Sequence, residues 1–150
     1  MSEVLGKEPA EEIVFGTVAP QFVVADVEAT AEYYRDVLGF EITDRFERPG
    51  SSERGSSETG SSETVHIILT RGYVQIFLAL ADGEVGRSNR RLKRVAIDAY
   101  VRIQGVEALA RELRERGARI LEGPVRRVYD QLELVVEDCN GFVLVFGEEA

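Results

Sequence analysis

The segment "AIDAYVRI" sets a carboxylate, a phenol and a guanidinium two residues apart at Asp98, Tyr100 and Arg102. Side chains two apart on a strand share one face, so the three would project together. An Asp–Tyr pair can move a proton between substrate and solvent. That chemistry still needs a nucleophile, a base and a group to orient it, and no such set occurs at recognisable spacing. Asp98 and Arg102 are equally placed to pair with each other. The chain holds one imidazole, His66, and one thiol, Cys139. A lone strand histidine is a poor metal site. Cys139 lies in the turn "DCNG" without a histidine to activate it.

These groups need elements to position them, and the elements come in pairs. "DVEATAEYYRDVLGFEI" from Asp26 and "GVEALARELRERGARIL" from Gly105 share the run Val-Glu-Ala, and each reaches a stop at Gly39 or Gly117. "GYVQIF" at 72–77 and "GFVLVF" at 141–146 form a second pair. A unit that recurs along the chain is one supersecondary motif used twice. Asp26 is placed to cap the first helix, with Val27, Ala31, Tyr34 and Leu38 on its apolar face. In the second helix Val106, Leu109, Ala110 and Leu113 make the buried stripe. Glu107–Arg111 and Glu112–Arg116 fall at ion-pair spacing on its wet side. Strands are expected before each helix, at "PQFVVA" and "AIDAYVRI", and after it near 40–47, 64–70, 73–80, 118–121, 131–137 and 142–147. The order is βαβββ twice, an α+β fold with helices on the outer faces of two sheets. Strand alternation puts Gln21, Glu133, Val135, Val143 and Val145 on the face opposite the helices.

The bulk properties set limits. A chain of 150 residues is one domain, read as a disordered tail over 1–12 and a single unit over 13–150. Module 1 spans about 13–82 and module 2 about 94–148. Between them the run "RSNRRLKR", Arg87 to Arg94, is the one basic patch, read as a solvated turn. Residues 50–63 repeat Gly-Ser-Ser-Glu and read as a flexible surface loop between strands. A net charge of −9 excludes a nucleic-acid binder and is compatible with a cationic ligand. No apolar run is long enough to span a membrane. The acidic start "MSEVLGKEPAEE" is unlike a secretory signal, and a single Cys suits a reducing compartment, so a cytoplasmic location is expected.

"VADVEATAEYYRDVLGFEI" at 24–42 and "VEDCNGFVLVFGE" at 136–148 resemble the vicinal oxygen chelate superfamily, the glyoxalase, bleomycin-resistance and extradiol-dioxygenase group. The helix carries that family's paired aromatic residues. The turn follows its Asp-Pro-Asp-Gly form, with Cys139 where Pro is usual. The resemblance implies a curved sheet around a cleft, a homodimer, and in enzyme members one metal ligand on each of four strands. Those positions fall here on Ala19, Ile76, Asp98 and Val145, with Gln75 or Phe77 replacing Ile76 if the register slips by one. One carboxylate among three aliphatic groups cannot hold a divalent metal, so no metal and no cofactor is expected.

The reading is therefore a small-molecule binding or sequestering protein. Its cleft is lined by Ala19, Gln21, Ile76, Asp98, Tyr100, Arg102, Glu133 and Val145. The ligand is partly apolar and open to being cationic. The competing expectation is a metal-dependent lyase, isomerase or dioxygenase that uses His66, Asp98 and Glu133.

Overall fold

The computed structural model describes residues 11–49 and 62–150. The expected tail and Gly/Ser/Glu loop thus lie mostly outside the described residues. At the margins, Glu11 and Glu12 are exposed, and Ser62 and Glu63 open a strand.

Module 1 runs β1 (Gln21–Val24), α1 (Val27–Asp36), β2 (Glu41–Pro49), β3 (Ser62–Arg71) and β4 (Val74–Leu80). Module 2 repeats it with β5 (Ala99–Arg102), α2 (Val106–Glu115), β6 (Arg119–Arg126), β7 (Gln131–Glu137) and β8 (Val143–Glu149). Each module makes one four-stranded sheet, in the orders β1-β4-β3-β2 and β5-β8-β7-β6. In both, the first strand pairs parallel with the last and the other pairs are antiparallel. The two sheets are not closed into one.

Local chemistry fixes the helices as expected. Asp26 accepts from the Ala29 amide at 2.9 Å and so caps α1. Gly39 and Gly117 take φ of 78° and 85° just past the two helices, a region that favours glycine. Val106, Ala110 and Leu113 are buried under α2, with Leu109 half-buried beside them. Glu112 does pair with Arg116, and it also holds Arg71 of module 1 at 2.9 Å.

Each helix packs on its own sheet, and one apolar cluster runs through both helix-bearing faces from module 1 into module 2. Phe22 stacks on Phe142 at 4.2 Å, Tyr34 donates to Asp138, and Arg116 Nη1 donates to the Asp36 carbonyl. Burying both faces together removes more apolar surface from water than two separate layers would.

The cleft-side face of sheet 2 is closed as well. Val135, Val143 and Val145, none more than 3% exposed, form a second cluster against the half-buried Ile97. Strands covered on both faces read as nearly unbroken apolar runs, which is why "GFVLVF" carries no polar side chain.

Candidate functional site

The connection between the modules covers sheet 2, and Asp98 anchors it. Ser88 Oγ and the Val143 amide donate to Asp98 Oδ2 at 2.6 and 2.8 Å, and the Asn89 amide to Oδ1 at 2.7 Å. A short 3-10 turn, Asn89–Arg91, forms above it with Ser88 as its cap. Within the basic run, Arg90 Nε donates to the Ala96 carbonyl and Arg91 Nη1 to those of Arg87 and Ser88. These two arginines stitch a loop together instead of forming a free positive patch. Asp98 is a structural clasp, and no pair with Arg102 forms.

Glu133 is a buried carboxylate with three side-chain donors. It is 3% exposed, and it accepts from Tyr100 Oη at 2.7 Å, Tyr129 Oη at 2.8 Å and Arg127 Nε at 2.9 Å. Arg127 also forks onto Glu122 at 2.9 and 3.1 Å. Burial alone would raise the Glu133 carboxyl, but the three donors hold it below the ordinary range. Burial and the Glu133 hydrogen bond push the Tyr100 phenol up to about 12. Tyr100 is therefore a donor fixed in place. It is a poor acid at neutral pH.

Tyr100 lies across Gly147, where a Cβ would collide with its hydroxyl. The Arg102 guanidinium sits over the same ring, 5.5 Å from its centroid. A chain of contacts thus runs Glu122–Arg127–Glu133–Tyr100–Arg102. Arg127 and Tyr129 were missed by sequence reasoning. Their signal was the tight turn in "RRVYDQLE", marked by Asp130 at φ 63°, which folds Arg127 and Tyr129 back toward Glu133.

The other expected site residues separate. Gln21 is exposed and Ala19 half-buried. Ile76 is fully buried in the main cluster, because β1 pairs Gln21 with Phe77 and so sets Gln75 and Phe77 on the cleft side. Val145 is sealed under Ile97 and does not reach a cleft. His66 lies on sheet 1 between Phe46 and Phe77, with ring centroids 5.7 and 5.5 Å away. Cys139 is exposed, but desolvation of its thiol and the Asp138 charge push it up, away from a reactive thiolate.

Open space lies along the seam between the modules. A crevice of about 430 Å³ is bounded by Thr17, Val18, Pro20, Gln75, Tyr100 and Arg102, among others. On the helix side a cavity of about 500 Å³ is floored by Leu38, Phe40, Val101 and Phe146, with Ile103 and Leu109 on its wall. The two share Tyr73, Val74, Val101 and Arg102. Both volumes suit a small organic ligand.

Among the described residues, no three His, Cys, Asp or Glu side chains come together in a way that could hold a metal ion. With the register corrected, the four positions of the expected metal set carry Ala19, Phe77, Asp98 and Val145. The one carboxylate among them already accepts three hydrogen bonds. The trio His66, Asp98 and Glu133 does not converge either. These residues do not fit a metal centre.

Two four-stranded sheets, each built β-α-β-β-β, define a tandem-module protein of the glyoxalase/bleomycin-resistance fold. The sequence profile of the Glyoxalase/Bleomycin resistance protein/Dioxygenase superfamily matches residues 15–94, and the chain belongs to that superfamily. No curated protein sequence matches it. Among solved structures, TnmS3, an antibiotic binding protein from Streptomyces sp. CB03234, is similar with a TM-score of 0.64 and 15% identity, over 93% of this chain and 100% of that one. TioX from Micromonospora sp. ML1 gives 0.63 and 14%, over 90% and 100%. A superfamily member from Sphaerobacter thermophilus DSM 20745 gives 0.60 and 16%, over 91% and 98%. At such identities the likeness concerns the fold.

Proposed function

We propose that this protein binds a small, partly apolar molecule at the seam between its modules and sequesters it without metal and without chemistry. The observation that carries the reading is the pair of seam cavities, with an apolar floor and polar groups confined to the rim. The nearby tyrosine, carboxylate and guanidinium groups bond to one another and leave no nucleophile–base pair poised toward either cavity. TnmS3, with the same fold, is described as an antibiotic binding protein, which gives the reading a precedent.

Two further proposals come from the sequence. The protein works in the cytoplasm. It also pairs as a homodimer, for which Ile13, Val14, Phe15 and Val18, each at least 82% exposed, offer an apolar surface in need of cover.

The test is a thermal-shift screen with a panel of antibiotics and metabolites, beside metal content after incubation with Ni, Zn, Mn and Fe and desalting. A compound that raises the melting temperature of metal-free protein is expected. Stoichiometric metal, or turnover that a chelator abolishes, would replace this reading with the lyase, isomerase or dioxygenase alternative.

A further inference from the structure

The charges around the seam select a class of ligand, given the binding reading above. The expectation of a cationic ligand rested on the net charge of −9, with Asp98 and Glu133 the carboxylates expected in the cleft. Asp98 is locked onto Ser88 and two backbone amides, and Glu133 is buried beneath Arg127 and two tyrosines. Each already accepts three hydrogen bonds, which leaves little of either carboxylate for a cation. At the helix-side cavity, Glu112 neutralises Arg71 through two hydrogen bonds of 2.9 and 3.0 Å. Arg102 is the exception. It lines both cavities, it sits over the Tyr100 ring, and it pairs with no carboxylate among the described residues.

A guanidinium stacked on an aromatic face keeps its N–H edges free, and those edges match the paired oxygens of a carboxylate, sulfonate or phosphate. Here the ring beneath it is itself fixed, because Tyr100 donates to Glu133 at 2.7 Å and lies flat over Gly147. The cation therefore has a fixed ring to rest on before a ligand arrives, which lowers the ordering cost of binding. Beside it, Leu38, Phe40, Ile103, Leu109 and Phe146 give an apolar bed for the rest of the molecule.

We propose that the ligand is an amphipathic anion, with its apolar body in the helix-side cavity and its negative group on Arg102. The charge pattern selects for that anion within a chain whose net charge is −9.

A matched pair of fluorescent probes tests this. 8-Anilinonaphthalene-1-sulfonate and N-phenyl-1-naphthylamine share one ring system and differ by the sulfonate. The sulfonate probe is expected to bind saturably to the folded protein. Arg102→Gln should weaken it about tenfold, while Arg102→Lys restores part of the affinity and the neutral probe changes by less than about twofold. Ala108 lies on the exposed side of α2 and lines the cavity, so Ala108→Phe should block both probes with the melting temperature kept. If Arg102→Gln leaves the sulfonate probe unaffected, or weakens both probes alike, the anion assignment is wrong and the binding reading survives. Probes that bind Ala108→Phe as tightly as the parent would place the ligand outside this cavity and overturn its role. Should neither probe bind saturably, the binding reading falls, and the anion assignment with it.

Discussion

Tyr34 of α1 donates its hydroxyl to Asp138 Oδ2 at 2.6 Å, across 104 residues of chain. Asp138 closes its own turn by accepting from the Asn140 and Phe142 amides at Oδ1, at 2.8 and 2.9 Å. The aromatic pair on the helix and the Asp-Cys-Asn-Gly turn are thus two halves of one intermodule joint. Tyr34 is fully buried, and desolvation together with Asp138 raises its phenol well above the ordinary value. Tyr34→Phe keeps the ring and removes the donor, leaving a buried carboxylate short of one partner. The expected cost is about 1–3 kcal/mol, read as a melting temperature several degrees lower. A variant that melts with the parent would mean that the joint contributes nothing to stability.

Glu133→Gln tests the chain of contacts that fixes Tyr100. Arg127 would keep Glu122 but lose its buried partner, at an expected cost of about 3 kcal/mol. The phenol gives a second readout. Burial remains in the variant while the hydrogen bond to an anion goes, so Tyr100 should titrate below its parental value of about 12 but still above an ordinary tyrosine. Absorbance of tyrosinate against pH, with Tyr100→Phe as the subtraction control, measures it. An unchanged titration would show that Glu133 does not control Tyr100.

The fold was legible wherever a local period records a face. The alternation in β7 and β8 separates Leu134, Val136, Leu144 and Phe146 from Val135, Val143 and Val145, and the structure divides them the same way. What alternation cannot say is whether a face stays open. Val145 read as a cleft residue because nothing local reveals that Ile97 folds back over it. Ile76 was misplaced for a geometric reason. Aligning Gly72 with Gly141 ignores that β3 and β4 join through two residues, whereas β7 and β8 join through five. An odd difference in turn length reverses which side chains face the core. Asp98 read as a cleft residue, and its clasp was not legible. Its three donors come from Ser88, Asn89 and Val143, too far along the chain for any spacing rule to pair them.

Acid should destabilise the protein. The carboxyls of Glu28, Glu112 and Glu122 lie below their ordinary value because Arg45, Arg71 and Arg127 bond to them, and donors overcome burial at Glu133. The unfolded chain holds more protons at these groups, so the stability they give is present above the ordinary carboxylate range and lost as pH falls through the depressed folded values. Asp138 works the other way. Burial raises its carboxyl, so its contribution favours the folded state at low pH and fades as pH rises through its folded value. With Asp36 also held down by Arg35, five lowered carboxyls against one raised among the described residues predict urea midpoints that fall steadily below about pH 4.5. Midpoints flat down to about pH 3 would contradict this.

Gly147→Ala should separate the fold from the site. Gly147 is buried on β8 opposite Glu133, and an added Cβ would meet the hydroxyl end of Tyr100. That end belongs to a side chain with two rotatable bonds, so the backbone can stay while the ring swings away. Swinging breaks the hydrogen bond to Glu133 and removes the surface on which Arg102 rests. The stability cost is one hydrogen bond with local repacking, about 1–2 kcal/mol. Binding should suffer more selectively. A guanidinium without its ring must be ordered by the ligand, so the affinity for an aromatic sulfonate should fall about as far as in Arg102→Gln, with the neutral probe little changed. Pairing Gly147→Ala with Tyr100→Ala checks the route. With the ring absent the added methyl has nothing to displace, and the double variant should bind no more weakly than Tyr100→Ala alone. A further loss in the double variant would show that Gly147 acts on the site by a path that bypasses Tyr100.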